Sequence, residues 1–598
     1  MSIPIKTNQL EVDLNLSQFD QKFDVFKITT SEKYFNRGAY MLDTPLLCNN
    51  VQSVFFETGN NYFVLILKDA ANKSRLKSAL LNADGGEKIT IAQVNTEGIE
   101  QRVVVSLLLN AIGSFELDFL RLNNLTGRLY CFHPKWIKTS SRGNESRVLK
   151  IPCLNISVSK DLRLSLIVST FSSVALKKKI AFTKRKFEQY PQYILSANNT
   201  LRRKLRDDTG ECFIIRQTKG DKTEIPFLDI QNTERFEASK MGVLTEVIQK
   251  FNKKYSGVCS LRFKEISDYS SLECSKSLIS KNNKIVKEYL ESTDIKIVDL
   301  IGDDYSKAFC KDIALTLTEK YGVGACIGKR IVKNSLNLCV IHNELYYEDR
   351  NDPHNRDYSG AAVQHITLED FMGHADAAIS TVVHELLIKN DVLKRQLTLY
   401  DWESTGIKNR VSFGVRTVID DVERYFFMTI NPDGTFAFEE KELDLFSSNE
   451  YSECVNIFSD DADVVGIIKY EDGCINVISD TSWFTIPEIE SIYSLLKSGN
   501  TYLRGKEKRT ELLTAVTDIR TFVQGKSSYY FVGIIGEGMR TNINHASNIR
   551  RVDSYKGSEL RFEEMLQLMS VPFVRNGQLT VIPFPFKYLR EYIAFLTL

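Results

Sequence analysis

The chain has 598 residues, 43% of them hydrophobic and 26% charged, with 31 Gly and 12 Pro; these proportions exclude a disordered, collagen-like or disulfide-framework chain, and the length leads us to expect about four domains. Lys+Arg number 77 against 76 Asp+Glu, a net charge of +1, so any polyanion site has to be built by local sorting of charge. The 11 Cys include no C-x-x-C pair, the start from Met1 to Asp13 lacks an apolar signal core, and the apolar run Val103 to Leu120 is broken by Ser106, Asn110, Glu116 and Asp118; reduced, mostly buried thiols and a soluble, cytoplasmic protein are expected, with no membrane partner.

The N-terminal part reads as β-rich. Val51 to Phe56, Tyr62 to Leu67 and Val103 to Leu107 are predicted strands, punctuated at Gly59-Asn60-Asn61 and Gly85-Gly86. From Phe171 to Arg206 the sequence turns basic. Lys177, Lys178, Lys184, Arg185, Arg202 and Arg203 alternate with Phe182, Phe187, Tyr190 and Tyr193, a pattern in which cations neutralise phosphates and rings stack on bases. A solvated helix face followed by a linker accounts for the same residues.

Next come a strand at Ile295 to Ile301, a helix from Tyr305 to Lys320 and a strand at Leu336 to His342. A polar excursion then leads to a short strand, Ala362 to Thr367, and a helix through His384 to Lys389. This alternation predicts a parallel, Rossmann-like α/β layer. Beyond Leu397 the pattern is an antiparallel meander, Val411 to Val418, Arg424 to Ile430 and Thr435 to Phe438, with the turn Asn431-Pro432-Asp433-Gly434. Helices at Ile486 to Lys497 and Lys508 to Phe522, a strand at Tyr529 to Ile535, a helix near Glu559 to Met569 and a strand-helix at Leu579 to Phe595 complete the reading.

Several familiar motifs fail on inspection. Gly525-Lys526-Ser527 ends like a phosphate-binding loop, but Arg520 stands where the upstream glycine is needed and a helix is expected before it. Gly322, Gly324 and Gly328 are spaced wrongly for a dinucleotide fingerprint. His384-Glu385 opens like a zinc-protease helix, yet Ile388 occupies the second histidine position. There is no G-x-S-x-G elbow.

One constellation survives. Gln364 on a short strand precedes Lys389 on the next helix by 25 residues, with Lys394 just beyond and Tyr346, Tyr347, Arg350, Arg356 and Tyr358 ahead. Cations, amide donors and an aromatic converging on a Rossmann-like edge could hold a terminal phosphate and its first base; a lysine snorkelling at a helix end is the plain alternative for Lys389. The meander opens like an RNase H-like layer, but Arg410 to Thr417 carries no acid to clamp a metal, and Asp472-Gly473 and Asp460-Asp461 read as turn and loop. A catalytic set is therefore not expected, although Asp472 or Glu537 beside a second carboxylate would restore one.

The apolar tail Gln578 to Leu598, with its Pro583-Phe584-Pro585 turn and the preceding helix Phe562 to Met569, resembles the end of Argonaute/PIWI proteins, where a P-x-P turn leads into a last helix buried on the MID domain. The Gln364 to Lys389 spacing is similar to the Gln and second Lys of the MID motif that holds a guide 5′-phosphate, and Tyr358 with Arg356 stands in for the Tyr and first Lys of that motif. The missing first-strand acid resembles the nuclease-inactive prokaryotic branch. The resemblance covers roughly residues 284–598. It implies a multidomain α/β protein of bilobal, Argonaute-like architecture: an N-terminal and linker domain (1–150), a basic PAZ-like or linker region (151–265), a Rossmann-like MID domain (266–397) and an RNase H-like PIWI domain (398–598). It further implies a short 5′-phosphorylated guide, a DNA by expectation, held by Tyr358, Arg356, Gln364, Lys389 and Lys394, with Lys177, Lys178, Lys184, Arg185, Arg202 and Arg203 along the backbone. A Mg²⁺ at the 5′-phosphate, assisted by the Leu598 carboxylate, target plasmid or foreign DNA, and a helicase-nuclease partner follow from the same resemblance. An active guide-dependent nuclease and a scaffold with no nucleic-acid ligand are the alternatives.

Overall fold

The structure, a computed structural model, describes residues 4–30, 51–57, 61–68, 74–76, 78, 89–114, 120–125, 128–142, 145–174, 191–196, 201–204, 207–215, 225–272, 277–347, 351–355, 358, 360–371, 375–442, 449–487, 489, 492, 519–532, 542–543, 546–569 and 581–596. They form a mixed α/β chain with several sheets. Two units result: Met1–Ser267 with Ser482–Ala515 and Ile535–Ala546, and Asp268–Thr481 with Val516–Ile534 and Ser547–Leu598. No described helix is long and apolar enough to cross a membrane.

In the first unit, an antiparallel sheet runs in the order Val51–Phe56, Asn61–Leu67, Phe23–Thr30, Ile89–Val94. A larger sheet is built on the hairpin of Glu145–Val158 and Leu164–Ser173. The boundary expected near residue 150 falls inside the Glu145–Val158 strand and is corrected accordingly: a continuous ladder cannot be cut there. The expected strand Val103 to Leu107 is instead part of a helix, Gln101–Asn110, buried from Val103 to Asn110. An apolar run of this kind suits a buried strand or a buried helix equally by periodicity. Here Ser53 Oγ donates to the Leu107 carbonyl (2.6 Å) and Asn110 Nδ2 to that of Val54 (3.0 Å), fixing the helix to its neighbouring strand. The Lys240–Lys254 helix begins at Ser239, whose Oγ accepts the Gly242 N–H (3.2 Å). A Cβ on Gly242 would lie 2.0 Å from the Phe236 carbonyl oxygen, so the helix start requires glycine.

In the second unit the three expected strands form a parallel layer, and an unexpected short edge strand joins it, in the order Cys326–Gly328, Ile295–Asp299, Leu336–Ile341, Ala362–Thr367. The Asp304–Tyr321 helix is capped by Asp303, which accepts the Ser306 N–H (2.7 Å), and stops at the left-handed Gly322 (φ 72). The Ala375–Lys394 helix buries Ile379, Val383, Leu386 and Leu387 in a core shared with the meander and with Phe586, Tyr588 and Leu589 of the Pro585–Leu596 helix.

The meander is also present: Val411–Ile419, Val422–Ile430 and Phe436–Lys441. Its continuation overturns the RNase H-like expectation. Val464–Tyr470 pairs antiparallel with Val411–Ile419 (Val411↔Tyr470, Gly414↔Ile467), and the Asp472-Gly473 turn sends Ile475–Ile486 back antiparallel again. A parallel α/β continuation needs a crossover that returns the chain to the end of the sheet where it began. The connection through the nine-residue helix Ser452–Asp460 delivers it to the opposite end. Farther along, Ile519–Gln524 is a strand where the end of a helix was expected, and Gly525-Lys526 (Gly525 φ 66) is the tight turn into Ser527–Val532. Most of the expected helices Ile486 to Lys497 and Lys508 to Phe522 lies outside the described residues.

Candidate functional site

Gln364 is the third residue of the strand Ala362–Thr367, and Lys389 lies in the last turns of the helix that covers that strand. Ala362 and Ile366 point into the core under this helix, so strand alternation directs Gln364 to the same face. The Lys389 ammonium donates to Gln364 Oε1 (2.6 Å) and to the Val363 carbonyl (3.2 Å). Gln364 Nε2 donates to Glu385 Oε2 (2.9 Å). Glu385 precedes Lys389 by four residues, so the two share one helix face.

The Pro585–Leu596 helix adds a second cation. Lys587 Nζ stands 3.8 Å from Glu385 Oε1 and 2.6 Å from Glu591 Oε1, and the Phe595 ring lies 6.0 Å from the Lys389 ammonium. Two ammonium groups and two carboxylates therefore form one network around the Gln364 amide. Burial lowers the Lys389 pKa below the ordinary lysine value; Glu591 and Glu385 oppose that shift and Lys587 adds to it.

The spacing of the two helices is fixed by Asp391, which is fully buried. Its carboxylate accepts from Tyr588 Oη (2.9 Å), Tyr289 Oη (3.2 Å), the Thr398 N–H (3.0 Å), the Leu399 N–H (3.3 Å) and the Thr398 hydroxyl. Burial nevertheless raises its pKa above the usual carboxylate value. Tyr588 follows Lys587 directly, so this clamp sets where Lys587 stands relative to Lys389.

The other expected residues are distributed differently. Tyr358 packs against Val298, Cys339, Ala361 and Val363, donates its hydroxyl to the Pro353 carbonyl (3.0 Å) and has its ring 5.6 Å from that of His365. Val363 and His365 alternate with Gln364 along the strand, so Tyr358 belongs to the opposite face of the sheet and is corrected as a partner of Lys389. Lys394 is exposed with its ammonium 5.9 Å from the Tyr289 ring; five residues beyond Lys389, it is rotated well away from Gln364. Arg202 is held by Asp208 through two 2.6 Å hydrogen bonds, and the Arg203 guanidinium lies 5.8 Å from the Tyr193 ring. Arg356, Lys177, Lys178, Lys184, Arg185 and Leu598 lie outside the described residues.

Of the acids weighed for metal binding, Asp472 accepts the Cys474 N–H (3.0 Å) and pairs with Arg561, Asp461 accepts the Asp463 N–H (2.8 Å), and Glu537 lies outside the described residues. Among the described residues no three His, Cys, Asp or Glu side chains converge as a metal group. Glu385 and Glu591 both face Lys587. The Leu598 carboxylate, the expected Mg²⁺ ligand, lies outside the described residues, and Glu385 and Glu591 are engaged by the Gln364 amide and by Lys587.

A second cluster lies at the carboxyl ends of the parallel strands. His342 pairs through Nδ1 with Glu369 and stacks on Tyr346, with centroids 3.7 Å apart. Glu369 also accepts the Asn343 N–H (2.9 Å), and the His342 N–H donates to Tyr347 Oη (3.3 Å). Given the register Leu338↔Gln364, His342 lies four residues, about 13 Å, farther along the strands than Gln364.

Sequence reasoning missed Glu385, Lys587 and Glu591. Glu385 was detectable by its four-residue spacing from Lys389; the other two carry no local signal linking them to Gln364. No family model and no curated protein matches the chain.

Proposed function

We propose that the protein is a catalytically inactive, Argonaute-like guide-binding protein, most like DdmE of the DdmDE plasmid-defence pair. It would hold the 5′-phosphate of a short guide, a DNA, at Gln364 and Lys389, pair the guide with complementary plasmid or other foreign DNA, and recruit a helicase-nuclease. The observation that carries this reading is the contact of the Lys389 ammonium with the Gln364 amide (2.6 Å), with Lys587 brought to the same network by the Pro585–Leu596 helix. Ammonium groups and an amide N–H are the donors a terminal phosphate requires. Target choice is left to base pairing, while cationic side chains track the backbone.

The antiparallel pairing of Val464–Tyr470 with Val411–Ile419 separates this chain from an RNase H-like layer, and the reading rests on the phosphate site. A scaffold without nucleic-acid ligand is the competing reading, favoured by the balance of two carboxylates against two lysines in the network.

The experiment is to purify the protein from cells, extract the nucleic acid that copurifies, end-label and sequence it, and repeat with Lys389→Ala. Short 5′-phosphorylated strands of narrow length, lost in the variant, are expected. A protein that carries no such strands and binds no added phosphorylated oligonucleotide refutes guide loading and leaves the scaffold.

A further inference from the structure

Glu385 holds the position that an oxyanion would take at this site. Its Oε2 accepts from Gln364 Nε2 (2.9 Å) and its Oε1 lies 3.8 Å from the Lys587 ammonium. A carboxylate and a phosphate present the same acceptor chemistry, and two anions sharing these donors would repel at hydrogen-bonding range. The surroundings allow the carboxylate to leave. Its side chain is 34% exposed, and Lys587 keeps Glu591 (2.6 Å) when Glu385 lets go. Lys389 remains bonded to the Gln364 oxygen and the Val363 carbonyl.

We propose that Glu385 is a built-in competitor for the phosphate, occupying the Gln364 amide and facing Lys587 until a terminal phosphate displaces it. This rests on the guide-end reading above. The consequence is selectivity for strand ends. A terminal phosphate monoester carries close to two negative charges and can displace a carboxylate, whereas a 5′-hydroxyl carries none and an internal phosphodiester only one. The competitor lowers the affinity for the phosphorylated end, narrows its advantage over a 5′-hydroxyl end, and widens its advantage over an internal phosphodiester, which displaces the carboxylate less well.

The test uses the full chain and 3′-fluorescein-labelled single-stranded DNAs of one sequence, carrying either a 5′-phosphate or a 5′-hydroxyl. Dissociation constants are compared for the native protein, Glu385→Gln, Glu385→Ala and Lys389→Ala. Removing the competing charge should tighten binding of the phosphorylated strand about fivefold in both Glu385 variants, the size of a partly exposed ion-pair effect, and change the hydroxyl strand less than about twofold. Lys389→Ala should abolish the preference for the phosphorylated end. If the native protein prefers phosphate through Lys389 but both Glu385 variants bind it equally well or more weakly, the competitor role is overturned and the guide-end reading stands. If the native protein does not distinguish the two ends and Lys389→Ala changes nothing, the guide-end reading fails, and the competitor role with it.

Discussion

Removing the Asp391 carboxylate should loosen the site without touching its charged network. In Asp391→Ala the Thr398 and Leu399 N–H groups and the Tyr588 hydroxyl, bonded at 3.0, 3.3 and 2.9 Å, lose their acceptor in a buried place. Each orphaned donor costs roughly 1–3 kcal/mol, and release from burying a carboxylate returns part of that sum. A net loss of about 3 kcal/mol is expected. Asparagine keeps an acceptor toward these three donors and offers its NH₂ to the Tyr289 and Thr398 hydroxyls, which can accept; Asp391→Asn should lose about 1 kcal/mol or less. Hydrogen exchange followed by mass spectrometry reads the difference locally. Peptides from Ala375–Lys394 and Pro585–Leu596 should exchange on the order of 100-fold faster in the alanine variant and less than about tenfold faster in the asparagine variant. Unchanged protection in Asp391→Ala, or equal damage from both substitutions, would refute the role given to this clamp.

Two further outcomes test the packing of the first unit. Burial, with the nearby Lys135 charge, lowers the His133 imidazole from 6.5 to about 4, and its Nδ1 accepts the Lys135 N–H at 3.2 Å. Between those values the unfolded chain binds the proton and the folded one does not, so stability falls as pH drops from 6.5 toward 4, by up to about 3 kcal/mol. Urea midpoints measured at pH 7 and 4.5 should differ less in His133→Asn, which keeps a cap acceptor without titrating; an equal pH dependence contradicts the assignment. Gly242→Ala should destabilise by about 3 kcal/mol or more, because its Cβ would meet the Phe236 carbonyl oxygen at 2.0 Å. Glycine to alanine inside an open helix gains about 1 kcal/mol instead, so a stabilised variant in thermal unfolding disproves the close approach.

The parallel layer was legible because its information is local. Ile295–Asp299 and Leu336–Ile341 are short, largely apolar runs, and the Asp304–Tyr321 helix between them is long enough to cross back; the three-residue edge strand Cys326–Gly328 offers no such run. The Gln364 to Lys389 contact follows from the same regularity, since strand, connection and helix together set a spacing that the structure closes at 2.6 Å. Tyr358 was misassigned because nearness along the chain was allowed to outweigh strand alternation, which sends Val363 and His365 to one face and Gln364 to the other. The direction of Val464–Tyr470 is decided by how a 22-residue connection, from Lys441 to Val464, is routed, and no residue in the strand records that. Val103 to Leu107 is apolar at every position except Ser106, a pattern that leaves helix and strand unresolved until the neighbours are known. Lys587 reaches the site from almost 200 residues beyond Lys389, so tertiary packing alone introduces it.

The chain passes between its two units at 267/268, 481/482, 515/516, 534/535 and 546/547, and this has a consequence for biosynthesis. When Ser267 has been made, the Ile5–Leu14 strand still lacks its pairing with Thr485 and Ile486, and Leu228–Asp229 lacks Asn542–Ile543. At roughly 5–20 residues per second, the 279 residues from Asp268 to Ala546 take about 15–55 s to translate. During that interval the first unit waits with unpaired strand edges and an unfilled place for Ile486, Ile489 and Ile492 in its core. Yield in a heterologous host should therefore depend on chaperone supply and on growth temperature, and a fragment ending at Ser267 would need residues 482–546 supplied in trans to complete its sheets.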